Sequence, residues 1–169
     1  MNATVTIGKQ AVPIVATAGV IVLYNSQFGT EYLVDFQDLQ EETDEKKYFD
    51  KYLMVGYRLL WSMAKVANPQ LLPPDEWILA LGDFDLEQPL KTARKLFGDT
   101  LKRCNIDDVD GEPLTADRLI AYAAICGMTV ADLDKLSLPL VINSIDSYIT
   151  TKYGSDEPRE ATQADYDNF

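Results

Sequence analysis

A short β-hairpin is predicted at the start of the chain. Apolar and polar residues of segment 3–16 alternate on both sides of Gly8-Lys9, as expected for two strands joined by a tight turn. Pro13 has no amide hydrogen to donate, so the second strand should lie at the edge of its sheet.

Two short helices are expected next. Segment 17–28 fits either a strand or a helix, because its run of β-branched residues favours a strand while the caps Thr17 and Gly29 favour a helix. We prefer the helix. Thr30 is the predicted cap of a second helix, whose apolar side carries Leu33, Phe36, and either Leu39 or Gln40.

The longest predicted helix covers residues 46–67 and should occupy the centre of the fold. Its polar residues, Ser62 among them, keep to one stripe, while apolar residues such as Phe49 and Leu53 fill the rest of the circumference. A helix of this kind packs on several sides. The acidic segment 38–50 at its beginning is interpreted as a solvated loop or helix entry.

Two more helices complete the first part of the chain. Pro73-Pro74-Asp75-Glu76 opens a short helix that carries Trp77 and should end at Gly82. Residues 85–103 form the second, and their spacing predicts one continuous apolar face. This face consists of Leu86, Leu90, Ala93, Phe97 and Leu101.

A second helical unit is predicted after a polar connector at residues 105–114. Thr115 caps a helix that stops at Gly127, Thr129 caps a short helix, and Ser137-Leu138-Pro139 starts a third helix that Gly154 closes. Their expected inward residues include Leu119, Ala123, Leu133, Ile145, Ile149 and Tyr153. Residues 155–169 are acidic and end in aromatics, which is typical of a flexible tail.

The predicted fold class is therefore mainly α: a helical bundle with a short N-terminal β-hairpin, a small helical C-terminal unit and a flexible acidic tail.

The composition excludes several kinds of catalysis and binding. The chain has no histidine, and its 15 Lys and Arg against 27 Asp and Glu give a net charge of −12. The first fact excludes imidazole-based catalysis and imidazole metal ligands. The second opposes binding to nucleic acid or to anionic membranes.

The cysteines and the hydropathy indicate a reducing, aqueous environment. Cys104 and Cys126 are too few and too far apart for a disulfide framework or a Cys-x-x-Cys site, so free thiols are expected. No run approaches the roughly 18 apolar residues of a membrane span. We expect a soluble cytosolic protein without a cofactor or a metal.

Two motifs have ordinary explanations. Segment 106–111 resembles a calcium loop, but Ile106 occupies the essential first ligand position, so an acidic turn is the better interpretation. Segment 123–133 has helix-turn-helix spacing, with Gly127 at the turn. Its second helix would present Asp132 and Asp134 to the phosphates, which disfavours binding to DNA.

The order of several motifs resembles the tail assembly chaperones of long-tailed bacteriophages, in the form that joins a G-type domain to a T-type extension. The G-type pattern is carried by Ile7-Gly8-Lys9, Trp61-Ser62-Met63-Ala64-Lys65 and Pro73-Pro74-Asp75-Glu76-Trp77. The T-type pattern is carried by Ala124-Ile125-Cys126-Gly127-Met128-Thr129 and by the terminal Ala161-Thr162-Gln163-Ala164-Asp165-Tyr166-Asp167. Together these motifs span nearly the whole chain.

The resemblance implies a G-type domain at 1–104, a T-type unit at 115–154 and a scaffold without enzymatic activity. Such chaperones coat the tape measure protein, recruit major tail tube subunits, and are absent from the finished virion. Partners would be those two proteins and possibly a second copy, with neither nucleic acid nor membrane, in the host bacterial cytoplasm. Many members arise by ribosomal frameshifting, which would place the join within residues 100–113.

We expect partner contacts at two apolar faces and at the tail. They are Leu86, Leu90, Phe97 and Leu101; Leu133 and Leu136; and Tyr166 and Phe169. The alternatives are a small acidic helix-turn-helix regulator that binds DNA and an enzyme whose site the sequence does not reveal.

Overall fold

The computed structural model describes residues 1–82, 85–104 and 114–154. Within those residues the chain is mostly helical with an N-terminal hairpin, as predicted. The predicted connector at 105–113 and the predicted tail at 155–169 lie outside the described residues. The elements are β1 (Asn2–Ile7), β2 (Gln10–Val15), α1 (Gly19–Phe28), α2 (Tyr32–Glu41), α3 (Glu45–Ala67), α4 (Pro74–Leu81), α5 (Glu87–Leu101), α6 (Ala116–Ile125), α7 (Val130–Leu133) and α8 (Leu138–Tyr153).

The hairpin confirms the alternating pattern. β1 and β2 pair antiparallel, with Val5 opposite Val12 and Ile7 opposite Gln10. Gly8 adopts φ +59° in the turn, a conformation that glycine reaches without strain. The aliphatic residues of one face are buried while the threonines of the other remain exposed, so the sheet covers the helices with one face only.

Segment 17–28 is a helix, as preferred, but its predicted N-cap is wrong. α1 begins at Gly19, its N-cap is Ala18, and no side chain caps it. Thr17 is buried, and its hydroxyl has no hydrogen-bond partner among the described residues. The end is as predicted, because Gly29 takes the left-handed conformation with φ 67°.

The predicted cap of α2 is off by one residue. Glu31 occupies the N-cap position, while the Thr30 hydroxyl donates instead to Asp35 Oδ1 at 2.7 Å. The acidic segment 38–50 is largely helical, since α2 runs to Glu41 and α3 starts at Glu45. Most of its side chains are exposed, as expected for a solvated segment.

α3 is the central helix, and it packs against β2, α1, α2 and α5. Its C-terminal half is buried from Val55 to Ala64 except for Tyr57 and Arg58, which are partly buried. Ser62 is fully buried rather than part of a solvated stripe, because its hydroxyl donates to the Arg58 carbonyl within the helix and needs no solvent.

α4 and α5 cover the flank of α3. The Trp77 ring of α4 stacks on Tyr57 at a centroid distance of 5.9 Å. α5 runs antiparallel to α3, because Leu90 contacts Gly56 while Arg94, one turn later, lies 4.2 Å above the Tyr52 ring, one turn earlier. Gly56 leaves the room that Leu90 occupies.

The helices after the connector pack directly on the first part of the chain. The Ala18 amide donates to the Leu136 carbonyl at 3.0 Å, and the Ala116 amide donates to Glu31 Oε2 at 3.1 Å. The described buried side chains of both parts belong to one apolar cluster. The predicted division at residues 105–114 stays a prediction, and the two predicted units share a core.

Candidate partner-binding groove

An apolar groove lies between α6 and α8. Local signals define the ends of α6. The Thr115 hydroxyl accepts from the Arg118 amide at its start, and Gly127, with φ 78°, lies in the turn that follows its end. α8 starts at Ser137-Leu138-Pro139, although the Ser137 side chain makes no cap hydrogen bond. The groove is lined by Tyr122, Ile125, Cys126, Ile145, Tyr148, Ile149 and Tyr153 and has a volume of about 210 Å³. We call it the α6/α8 groove.

The groove is exposed where the sequence predicts a core. Ile149 is 41% and Tyr153 is 72% exposed, so the prediction that both face inward is wrong. Buried residues of α8 end at Ile145, because the helix continues beyond the elements that cover its first two turns. Ile125 is also 55% exposed. The result is an apolar surface of aliphatic and aromatic side chains that no described residue covers.

A single cation lies among the tyrosines of α8. Lys152 Nζ donates to the Tyr148 hydroxyl at 2.9 Å and lies 5.2 and 5.5 Å from the ring centroids of Tyr148 and Tyr153. The hydrogen bond to Tyr148 holds the Lys152 pKa above its usual value. A cation over an aromatic face is attracted to it even at an exposed site. The rim of the groove therefore combines apolar area with one positive charge.

The two cysteines differ in environment. Cys126 is partly exposed and lines the groove, whereas Cys104 is buried behind α5. Burial raises the pKa of the Cys104 thiol to about 11. Cys126 is therefore the thiol that can report on occupancy of the groove.

A second apolar surface lies on the N-terminal half of α3. Tyr48, Phe49, Leu53 and Met54 are all exposed, with Phe49 at 58%. We call these four residues the α3 patch. The sequence assigned Phe49 and Leu53 to a helix packed on several sides, but the helix is 23 residues long and the core covers only its second half.

The predicted contact residues lie mostly inside the fold. Leu90, Phe97 and Leu133 are buried, while Leu86, Leu101 and Leu136 are partly buried against the same core. Tyr166 and Phe169 lie outside the described residues. The face of α5 is covered because α5 packs on α3 and β1. The structure brings Leu133 and Leu136 to the contact with α1 rather than to the groove.

The groove residues were not singled out from the sequence as a site. Ile125 stands two residues before the predicted helix stop at Gly127, and Ile149 and Tyr153 continue a four-residue spacing that is typical of a core face. One signal in the sequence could have indicated the groove. The apolar positions of α8 extend over more helical turns than the shorter helix α6 can cover.

No group of three or more histidine, cysteine, aspartate or glutamate side chains in residues 1–82, 85–104 and 114–154 is placed to hold a metal ion. No helix within the same ranges is long and apolar enough to cross a membrane.

Comparisons of the chain with protein-family models, curated proteins and solved structures gave no match. The resemblance of the sequence motifs and the α6/α8 groove are therefore the basis for a functional proposal.

Proposed function

We propose that this protein is a tail assembly chaperone of a long-tailed bacteriophage. It binds the tape measure protein and the major tail tube protein in the host bacterial cytoplasm and is not retained in the virion. It acts by binding alone, without a cofactor or a metal. The motif order supports this proposal, as does the combination of a hairpin with a helical bundle that the resemblance implies.

The observation that carries the proposal is the α6/α8 groove. Its exposed Ile125, Ile149 and Tyr153 suit the helix-in-groove mode, in which the partner inserts apolar side chains spaced one helical turn apart. Because the groove lies in the predicted T-type unit, we assign it to the tail tube protein. The net charge of −12 favours basic partner surfaces and keeps a protein with exposed apolar area soluble.

The α3 patch lies in the predicted G-type domain, and we assign it to the tape measure protein. Phe49 and Leu53 are four residues apart and are therefore neighbours on one side of the helix, and the exposed Tyr48 and Met54 flank them. The face of α5 predicted for this task is buried. The proposal thus moves the contact from α5 to the exposed half of α3.

No observation favours the DNA-binding alternative. α7, which would be the recognition helix, has four residues, and its Leu133 is buried in the contact with α1. Asp132 closes the capping box with Thr129, so its carboxylate stands at the helix start, where phosphates would approach. A single acidic turn is unsuited to lie along the major groove.

Co-expression with each partner tests the proposal. The groove variant I125E/I149E should lose co-purification of the tail tube protein and keep that of the tape measure protein. The control V130E/L140E adds the same charge at two residues that are about equally exposed but do not line the groove, and it should bind like the wild type. The patch variant F49E/L53E should show the opposite selectivity.

Three outcomes would contradict the proposal. The first is that the wild-type chain neither solubilises nor captures either protein. The second is that the control stays folded but loses binding together with the groove variant, which would show that the loss is not specific to the groove. The third is that I125E/I149E retains the tail tube protein, which removes the groove from the contact.

A further inference from the structure

The outer edge of β1 carries unused main-chain groups. The Ala16 amide donates to the Met1 carbonyl at 2.8 Å, which makes these two residues a hydrogen-bonded pair of the ladder. Hydrogen-bonded pairs alternate along an antiparallel ladder, so the amides of residues 3, 5 and 7 point toward β2. The amides of Asn2, Thr4 and Thr6 therefore point away from it.

The two edges of the hairpin are not equivalent. On β2 the outward positions are Ala11, Pro13 and Val15, and Pro13 at the centre has no amide hydrogen, so that edge cannot accept a regular strand. On β1 all three outward residues retain the amide, all are exposed, and none makes a main-chain hydrogen bond to another described residue. β1 also lacks the charges and bulges that usually protect an edge.

The hairpin lacks the acidic side chains that are frequent in the rest of the protein. Residues 1–30 contain no aspartate or glutamate, and Lys9 is the one charged side chain among them, in a chain of net charge −12. Two copies repel each other over their acidic surfaces, so contact between copies is favoured where both are free of acidic residues. The hairpin satisfies this condition and presents a pairing edge at the same place.

We propose that β1 pairs antiparallel with β1 of a second copy, and that the pairing is centred on Thr4. Asn2 then faces Thr6 of the other copy and Thr4 faces Thr4, so every outward amide of β1 finds a carbonyl acceptor. The sheet becomes four-stranded, with the two β2 strands at its edges and their prolines outward. The buried aliphatic residues stay on the helix side, and the threonines pair across the outer face. This interface is separate from the α6/α8 groove and from the α3 patch.

A charge-exchange experiment at Thr4 tests this pairing. Light scattering of the wild type should show the mass rising with concentration from the 18.9 kDa chain toward twice that value. T4D or T4K alone places like charges opposite each other and should weaken dimerisation by up to roughly fivefold, which corresponds to the upper end of the contribution of a direct cross-strand pair. A mixture of T4D with T4K should restore it. The control A11D introduces the same charge on the exposed face of β2, away from the two-fold axis, and should dimerise like the wild type.

Hydrogen exchange of the wild-type protein gives a second test that needs no variant. The amides of Asn2, Thr4 and Thr6 should gain protection as concentration rises, whereas Val5 and Ile7 are already protected at low concentration. A monomer at every concentration would overturn the pairing, as would unchanged exchange at the outward amides. A T4D/T4K mixture that dimerises no better than either variant would overturn the symmetric register centred on Thr4.

Discussion

Replacing Gly19 by alanine tests the contact between α1 and α7, which joins the two parts of the chain. A Cβ atom on Gly19 would lie 2.1 Å from Asp134 Oδ1, 2.9 Å from Asp134 Cα and 3.1 Å from Asp134 N. The carboxylate can rotate away, but the main-chain atoms cannot yield unless the end of α7 moves. That segment also holds the hydrogen bond from Ala18 to Leu136.

The size of the effect follows from two opposing terms. An extra methyl group in a close-packed contact costs about 1–3 kcal/mol. Alanine recovers part of this cost, about 0.5–1 kcal/mol at most, because it is the better helix former. We expect G19A to lower the free energy of unfolding by roughly 1–2 kcal/mol, which for a chain of this size corresponds to about 2–8 °C in melting temperature.

G98A is the matched control. Gly98 lies within α5, has no neighbouring atom within 4 Å of its Cβ position, and does not require a positive φ. The same substitution there should stabilise the protein by about 0.5–1 kcal/mol. Urea unfolding followed by far-UV circular dichroism measures both variants. If G19A were as stable as the wild type, or shifted in the same direction as G98A, the close contact at Asp134 would be refuted.

Three further predictions concern thiols, alkaline pH and a helix cap. Cys126 should react with a thiol reagent in the native protein and lose reactivity when a partner fills the groove, whereas Cys104 should react only after unfolding. Mass spectrometry of the labelled sites distinguishes the two thiols, and equal reaction rates would contradict the assigned burial. Burial raises the pKa of Tyr32 from 10.0 to about 12 and that of Cys104 from 9.0 to about 11. Because the folded state then binds more protons than the unfolded state, the contribution of both groups to stability should be intact below pH 9.0 and fall as pH rises toward 12. A free energy of unfolding that stays constant in urea titrations over this alkaline range would contradict this. T129A removes the hydroxyl that accepts from the Asp132 amide and donates to the Asp132 carboxylate, and it should cost about 0.5–2 kcal/mol in urea unfolding. The Asp132 pKa should rise in an NMR titration, and an unchanged pKa would show that the hydroxyl does not donate to this carboxylate in solution.

Three surfaces of this acidic protein are the proposed sites of protein contact. The α6/α8 groove and the α3 patch present apolar side chains, and the edge of β1 presents main-chain groups. They lie on different elements of the fold. The proposed scaffold would use one surface for each of its two partners and the third for its own second copy.

Several helix ends and helix caps were predicted correctly from the sequence. Glycines at positions 29, 127 and 154 end helices in conformations with positive φ, and Thr115 and Thr129 cap the helices that follow them, as predicted. These signals act within a few residues, so they need no knowledge of the fold. Thr17 does not cap α1 as predicted. The start of this helix is held instead by a tertiary hydrogen bond, which the Ala18 amide donates to the Leu136 carbonyl.

The amino-acid sequence by itself determined the hairpin, the number and order of the helices in the described residues, and the acidic character of the chain. Only the tertiary structure decided which apolar faces are covered. Leu90 and Phe97 are buried because α5 lies along α3 and β1, whereas Ile149 and Phe49 are exposed because their helices extend beyond the core. Periodicity identifies an apolar face from neighbouring residues, but what covers that face comes from segments far away in the chain.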